Sequence, residues 1–177
     1  MRLAIPVIAM ALCRTAAVAQ TLALDADLDG DGRAERITLI PDAPDVDLVI
    51  EGTGGDRIEV RDFVWTGLLA GTQSSLELAA NGSVRVVSRN EGIGRGRWTQ
   101  VLTIAYRGGD YVIAGYTYDR FDTIDQDDFG SCDVTLLTGA GVRDRGGVWT
   151  TFRTDAPMPL VSDWVGRQGF LPECGPD

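Results

Sequence analysis

Residues 97–121, RWTQVLTIAYRGGDYVIAGYTYDRF, form the longest continuous β-type pattern in the chain. Gly108 and Gly109 lie near its centre, where a two-residue hairpin turn favours glycine because its φ angles are positive. A turn at these glycines places Arg107 opposite Asp110. The stretch is therefore predicted to form a long antiparallel hairpin.

The register of this hairpin follows from its turn. It pairs Ile104 with Ile113 and Leu102 with Gly115 on one face. The opposite face then carries five further residues: Val101, Ala105, Val112, Ala114 and Tyr116. Both faces are apolar, which is typical of strands that are covered on each side. The hairpin is expected to lie in the middle of the fold.

Short apolar runs separated by glycines continue the β-type pattern in both directions. The predicted strands are residues 21–24, 36–40, 47–51, 57–61, 75–79, 83–89, 132–138 and 148–153. Asn81-Gly82 predicts a type I′ turn, with positive φ at both residues. Residues 139–147 are predicted to form a loop and residues 159–169 a short helix, whereas residues 63–69 suit either a strand or one helical turn.

These patterns predict an all-β fold. We expect an antiparallel β-sandwich or curled meander of about 8–10 strands, with one short C-terminal helix. No internal repeat with a fixed period is visible. Because a propeller needs several blades of ~40 residues each, a complete propeller is not expected.

The first nineteen residues have the pattern of a cleaved signal peptide. Arg2 supplies the basic start, residues 3–12 are apolar, and Ala17-Val18-Ala19 has the small-residue pattern of a cleavage site. Residues 20–177 then form a single β domain, and no later run has the ~20 apolar residues of a membrane span. We expect a periplasmic or secreted protein. Lipidation at Cys13 is an alternative, although Leu12 is larger than the residue that normally precedes a lipidated cysteine.

Composition excludes several classes of function. The net charge of −10 becomes −12 once Arg2 and Arg14 are removed with the signal peptide, and this argues against nucleic acid or an anionic membrane as partner. All sixteen basic residues are arginine, so the chain has neither lysine nor histidine. It therefore cannot form Schiff bases on lysine, nucleophile–histidine pairs or histidine-ligated metal sites.

Removal of the signal peptide leaves Cys132 and Cys174. In an oxidising compartment a single remaining pair is most simply a disulfide. The alternative is two buried free thiols. The predicted bridge would tie the end of the chain to a strand.

The most specific motif is DLDGDGRAE at residues 27–35. Its predicted calcium ligands are the side chains of Asp27, Asp29, Asp31 and Glu35 and the carbonyl of Arg33. Calcium takes six to eight oxygen ligands, and alternate carboxylates on a tight loop can converge on one ion. A solvated acidic turn is the alternative, although four close carboxylates repel one another unless a cation neutralises them.

Two reading frames are possible for this loop. A frame that begins at Asp25 places Arg36 at position twelve, where an EF-hand requires a bidentate acid. A frame that begins at Asp27 places Glu35 at position nine, which completes the ligand set without a twelfth residue. The second frame lies between two predicted strands, so the loop is interpreted as the turn of a hairpin.

This nine-residue loop, flanked by strands, resembles the calcium loops of FG-GAP and VCBS-type repeats, which integrin propellers carry in their hairpins. The resemblance covers about fifteen residues and implies a Ca²⁺ site formed by the residues named above. The chain holds one copy, lacks the flanking Phe-Gly and Gly-Ala-Pro segments, and has Glu35 where aspartate is usual. Residues 98–139 also resemble uncharacterised secreted bacterial proteins that carry such a loop.

A second acidic cluster follows the central hairpin. It consists of Asp119, Asp122, Asp125, Asp127 and Asp128. These carboxylates suit either a second metal site or the paired acids of a glycoside hydrolase. No alternation with glycine organises them, and a solvated loop is the alternative.

Aromatic residues lie close together along the central hairpin: Trp98, Tyr106, Tyr111, Tyr116 and Tyr118. Such a strip would bind carbohydrate if it were exposed, and it would form core if it were buried. The overall expectation is a calcium-binding domain with a structural or ligand-binding role toward an unknown protein or glycan. A hydrolase that uses the carboxylates of residues 119–128 is the alternative.

Overall fold

The computed structural model describes residues 22–164 and 171–174. Eleven strands lie within them: β1 Leu22–Ala26, β2 Glu35–Asp42, β3 Asp45–Glu51, β4 Arg57–Trp65, β5 Ser75–Leu78, β6 Val84–Asn90, β7 Gly96–Arg107, β8 Asp110–Asp122, β9 Phe129–Thr135, β10 Ala140–Arg145 and β11 Val148–Arg153. Two short 3-10 turns, Val161–Asp163 and Pro172–Cys174, follow. The predicted signal peptide lies outside the described residues.

The strands form two antiparallel sheets. The smaller sheet has the order β1-β2-β3-β4, and the larger has the order β11-β10-β9-β8-β7-β6-β5. Every neighbouring pair is also consecutive in sequence, so each sheet is a meander of hairpins. The predicted all-β sandwich is confirmed, and β7 and β8 lie in the interior of the larger sheet as expected.

One hydrophobic core joins the inner faces of the two sheets. The smaller sheet contributes Ile37 and Leu48, and the larger contributes Ile104 and Ile113, all fully buried. A second, smaller cluster lies on the outer face of β7 and β8 and is covered by Met158: Ala105, Val112 and Ala114. The prediction that both faces of the central hairpin are covered is therefore confirmed for the inner face, and for the outer face only around these three residues, since Val101 and Thr103 are half-buried.

The register of the central hairpin changes halfway along β8. Arg107 pairs with Asp110 and Ile104 with Ile113, as predicted. Leu102 pairs with Tyr116 instead of Gly115, because Ala114 is an extra residue that forms a β-bulge. The predicted position of Tyr116 on the outer face was therefore wrong: its side chain is buried in the main core.

Two other local predictions were wrong. The predicted loop at residues 139–147 contains β10, whose alternation is hidden by its three charged residues. At Asn81-Gly82, only Gly82 has a positive φ, of 84°. The amide of Gly82 donates to the carbonyl of Ala79 at 2.9 Å, so the loop is a type I turn followed by a left-handed glycine.

The segment after β11 closes one side of the sandwich. Leu160 forms a β-bridge with Val112, and Val161 enters the core in a single 3-10 turn. The indole nitrogen of Trp164 donates to the Phe63 carbonyl at 3.1 Å. The predicted C-terminal helix reduces to this turn within the described residues, since residues 165–169 lie outside them.

A disulfide joins Cys132 of β9 to Cys174, with 5.5 Å between the Cα atoms. The predicted bridge is therefore confirmed. Within residues 22–164 and 171–174, no helix has the length and apolar character needed to span a bilayer.

Replacement of Cys132 and Cys174 together with alanine should lower the free energy of unfolding. The bridge closes a 42-residue separation, and the loss of that constraint on the unfolded chain costs about 4 kcal/mol. Urea denaturation at a fixed calcium concentration measures the change. Thiol reduction should destabilise the wild type and leave the double variant unchanged, and equal unfolding free energies for the two proteins would contradict the prediction.

Candidate metal centre

The loop between β1 and β2, which was predicted to bind calcium and is called the calcium loop below, turns at two glycines. Gly30 and Gly32 have φ angles of 80° and 86°, in the left-handed region that favours glycine. An added Cβ would meet no atom within 4 Å at either position, so the requirement is conformational and not steric. The two glycines allow residues 27–34 to coil tightly at the edge of the smaller sheet.

Side-chain hydrogen bonds from within the loop hold this coil. Asp27 accepts from the amide of Gly30 at 2.8 Å and, with its other oxygen, from the amide of Gly32 at 3.0 Å. Asp29 accepts from the Asp31 amide at 2.9 Å, and Asp31 accepts from the Arg33 amide at 2.7 Å. The alternate aspartates therefore order the backbone that carries them.

Glu35 is the first residue of β2 and is 1 % exposed. Its Oε2 accepts from the amide of Leu28 at 2.6 Å, which joins the start of the loop to its end. Asp27, Asp29 and Glu35 each contribute a carboxylate oxygen to a group whose members all lie within 4.8 Å of one another. Asp31 is not part of this group.

The charge balance of this group fits a bound cation. In the described part of the chain, no arginine forms an ion pair with Asp27, Asp29 or Glu35. Burial of a carboxylate without a cationic partner is costly, and a hard cation with oxygen ligands removes that cost. The donor set therefore suits Ca²⁺. A contribution from the Arg33 carbonyl stays a prediction.

Asp25 lies outside the group. Its carboxylate forms an exposed ion pair with Arg36, with 2.9 Å between the charged atoms. The two residues face each other across β1 and β2 in the strand register. This pairing favours the frame that begins at Asp27 over the frame that begins at Asp25.

Tyr111, near the tip of the central hairpin, lies close enough to the loop for the loop's carboxylates to affect its pKa. Burial raises the pKa of Tyr111 to about 12, and the charges of Glu35 and Asp29 add to the rise. The sequence offered no signal for this proximity, because it depends on how the two sheets pack. Tyr111 is thus a residue near the site that sequence reasoning did not place there.

The second acidic cluster has a different arrangement. The guanidinium of Arg95 donates to Asp122 at 2.5 Å, and the amides of Asp125 and Ile124 donate to it as well. These bonds lower the pKa of Asp122 to about 2, with the Arg95 bond as the largest cause. Asp128 forms an ion pair with Arg120.

The remaining members of this cluster are Asp125 and Asp127, in the loop between β8 and β9, and Asp119, on β8. Asp125 accepts from the amide of Asp127 at 3.2 Å, and Asp119 lies on β8 opposite Ser131 of β9. Across residues 22–164 and 171–174, three convergent carboxylates are found only at the calcium loop. The structure therefore brings Asp122 and Asp128 to arginines and does not gather the five carboxylates around one point.

Comparison of the chain with protein families, with curated proteins and with solved structures finds no match.

The pKa of Asp122 provides a test of its pairing with Arg95. In the Arg95→Gln variant the pKa of Asp122 should rise from about 2 toward the ordinary value of ~3.9, because the charged donor is lost. NMR titration of the Asp122 carboxyl carbon measures it. Since the native pKa is depressed, the pair stabilises the fold above about pH 4, and this stabilisation is lost as the pH falls toward 2.

Arg36→Gln is the matched control for this titration, because it removes a guanidinium from a different exposed ion pair. It should leave the pKa of Asp122 unchanged. An unaltered Asp122 titration in Arg95→Gln would contradict the pairing.

Proposed function

We propose that this protein is an exported calcium-binding β-sandwich domain, in which one ion clamps the first hairpin to the core. The observation that carries the proposal is the convergence of two loop carboxylates on the buried carboxylate of Glu35. Asp27 and Asp29 supply the other two side chains. Asp31, by a change of its side-chain conformation, and the Arg33 carbonyl would complete the set that the FG-GAP and VCBS-type resemblance implies.

The position of the loop favours a structural role for the ion. β1 is a five-residue edge strand that pairs only with β2 in the smaller sheet. It also contacts β5 of the larger sheet. An ion held jointly by the loop and Glu35 would fix this strand to β2.

Export accounts for two further features. A disulfide is stable in oxidising compartments, and residues 1–19 have the pattern of a cleaved signal peptide. Calcium sites of modest affinity also suit extracellular modules. A periplasmic or extracellular location is compatible with each of these features.

The ion pairs of the second acidic cluster support a structural role for that loop as well. Asp122 and Asp128 each accept from an arginine, and the lowered pKa of Asp122 is the opposite of the raised pKa that a catalytic acid needs. These two carboxylates are therefore assigned to loop stability. A binding or structural function is favoured over hydrolysis.

Calorimetric titration of chelator-treated protein with CaCl₂ tests the site. Glu35→Gln and Asp27→Asn should each weaken calcium binding by at least 10–100-fold, since even outer-shell substitutions have effects of this order. Asp25→Asn is the matched control, because Asp25 is adjacent in sequence but paired with Arg36. Equal calcium affinity in Asp25→Asn and Asp27→Asn would contradict the assigned frame, and no heat with the wild type would contradict the site.

Calcium should also stabilise the fold. Binding to the native state alone adds ≈ 2.7 kcal/mol to the free energy of unfolding at a free calcium concentration one hundred times the dissociation constant. Urea denaturation in calcium and in chelator measures the difference. Glu35→Gln should reduce this difference to about 1.4 kcal/mol or less at the same free calcium concentration, because its affinity is at least tenfold lower. An identical wild-type curve in both buffers would show that the ion does not clamp the fold.

A further inference from the structure

A groove of about 460 Å³ lies beside the calcium loop, at the mouth of the sandwich. The calcium loop forms one wall with Asp29 and Asp31, and the turn between β3 and β4 forms a second with Asp56. The tip of the β7–β8 hairpin forms the third wall with Tyr106 and Tyr111. Three separate chain segments, from both sheets, therefore converge on one concave surface.

The two tyrosines give the groove an aromatic surface. Their ring centroids are 5.0 Å apart and their planes meet at 62°, so the pair presents two differently inclined faces. Both side chains are only partly buried. Tyr111 also packs against the core. Half-exposed aromatic rings suit the apolar C–H faces of sugar rings.

The polar lining is rich in hydrogen-bond acceptors. Four carboxylates line the groove: Asp29, Asp31, Asp56 and Asp110. Of the two arginines in the lining, Arg57 is held by ion pairs to Glu51 and Glu59, which leaves Arg33 with no ion pair among the described residues. Carboxylates accept bonds from hydroxyl groups but repel anions. The carboxylates of Asp27, Asp29, Asp31 and Glu35 outnumber the charges of one Ca²⁺ ion and Arg33, and Asp56 and Asp110 add to the negative excess. A neutral, polyhydroxylated ligand therefore suits this lining better than a phosphate or a uronic acid.

We infer that this groove binds a neutral oligosaccharide, with sugar rings packed on Tyr106 and Tyr111 and hydroxyl groups bonded to Asp56 and Asp110. The inference deepens the proposed function and rests on it at one wall of the groove, which is formed by the proposed calcium loop. Asp29 and Asp31 belong both to the calcium loop and to the groove, so a bound ion would order the surface that the sugar contacts. A few placed polar groups beside aromatic rings are typical of small-ligand sites.

Titration of the calcium-loaded protein with neutral hexasaccharides tests the inference. The probes are cellohexaose, maltohexaose, chitohexaose and laminarihexaose, each at millimolar concentration, with hexagalacturonate as the anionic comparison. At least one neutral probe should bind, and hexagalacturonate should not. Binding of none of the neutral probes, or preference for hexagalacturonate, would overturn the inference.

Variants locate the binding surface. Tyr106→Ala and Tyr111→Ala should each weaken binding of the neutral probe about tenfold or more, as expected for loss of a stacking surface. Tyr111→Phe keeps the ring and should bind within about twofold of wild type, which guards against a simple folding defect in the alanine variant. Trp149→Ala is the matched control, since Trp149 is 62 % exposed and does not line the groove. Loss of binding in Trp149→Ala but not in the tyrosine variants would overturn the assignment.

Repeating the titration in chelator separates this inference from the calcium site. If calcium binds but no neutral hexasaccharide does, the inference fails and the proposed calcium function stands. If a hexasaccharide binds through the tyrosines while calcium gives no heat, the calcium function fails and the sugar site stands. When both hold, chelation should weaken sugar binding, because it releases one wall of the groove.

Discussion

The arrangement of the N-terminal half depends on one buried carboxylate. Glu35 begins β2, is almost fully removed from solvent, and accepts a hydrogen bond from Leu28 at the other end of the loop. A carboxylate in such a position destabilises a protein unless a cation or several donors compensate it. Asp27 and Asp29 add negative charge instead. The hairpin therefore has a hydrogen-bonded backbone that carries three mutually repelling carboxylates, and a bound cation would offset that repulsion.

Much of the fold could be predicted because it is built from local hairpins. Every neighbouring pair of strands is consecutive in sequence, so alternation and turn residues carry most of the information. The turn at Asn81-Gly82 and strand β10 were missed for local reasons, whereas the register of β8 was missed because contacts distant in sequence decide it. The bulge at Ala114 coincides with a bond from the Ile113 amide to the carbonyl of Pro159, which no pattern within β8 could reveal.

The candidate site could likewise be predicted only in part. Spacing alone predicted that Asp27, Asp29 and Glu35 converge, because they belong to one loop of nine residues, although it also included Asp31, which lies outside the group. The proximity of Tyr111 to Glu35, and the groove that both sheets enclose, arise from packing between segments about 75 residues apart and lay beyond sequence reasoning. In the second acidic cluster, the partner of Asp122 is Arg95 on the loop between β6 and β7. Charge composition alone could therefore not distinguish a binding site from carboxylates held in ion pairs.

The bulge at Ala114 also determines which residues of β8 face the core. Tyr116 faces the core at an even position, whereas Ile113 and Tyr111 face it at odd positions, because the extra residue changes the phase of the strand. An uninterrupted strand with the same turn would keep Tyr111 opposite Tyr106 and would direct Tyr116 to the outer face. The extra residue in β8 therefore decides whether the half of the strand beyond it contributes its tyrosines, Tyr116 and Tyr118, to the core.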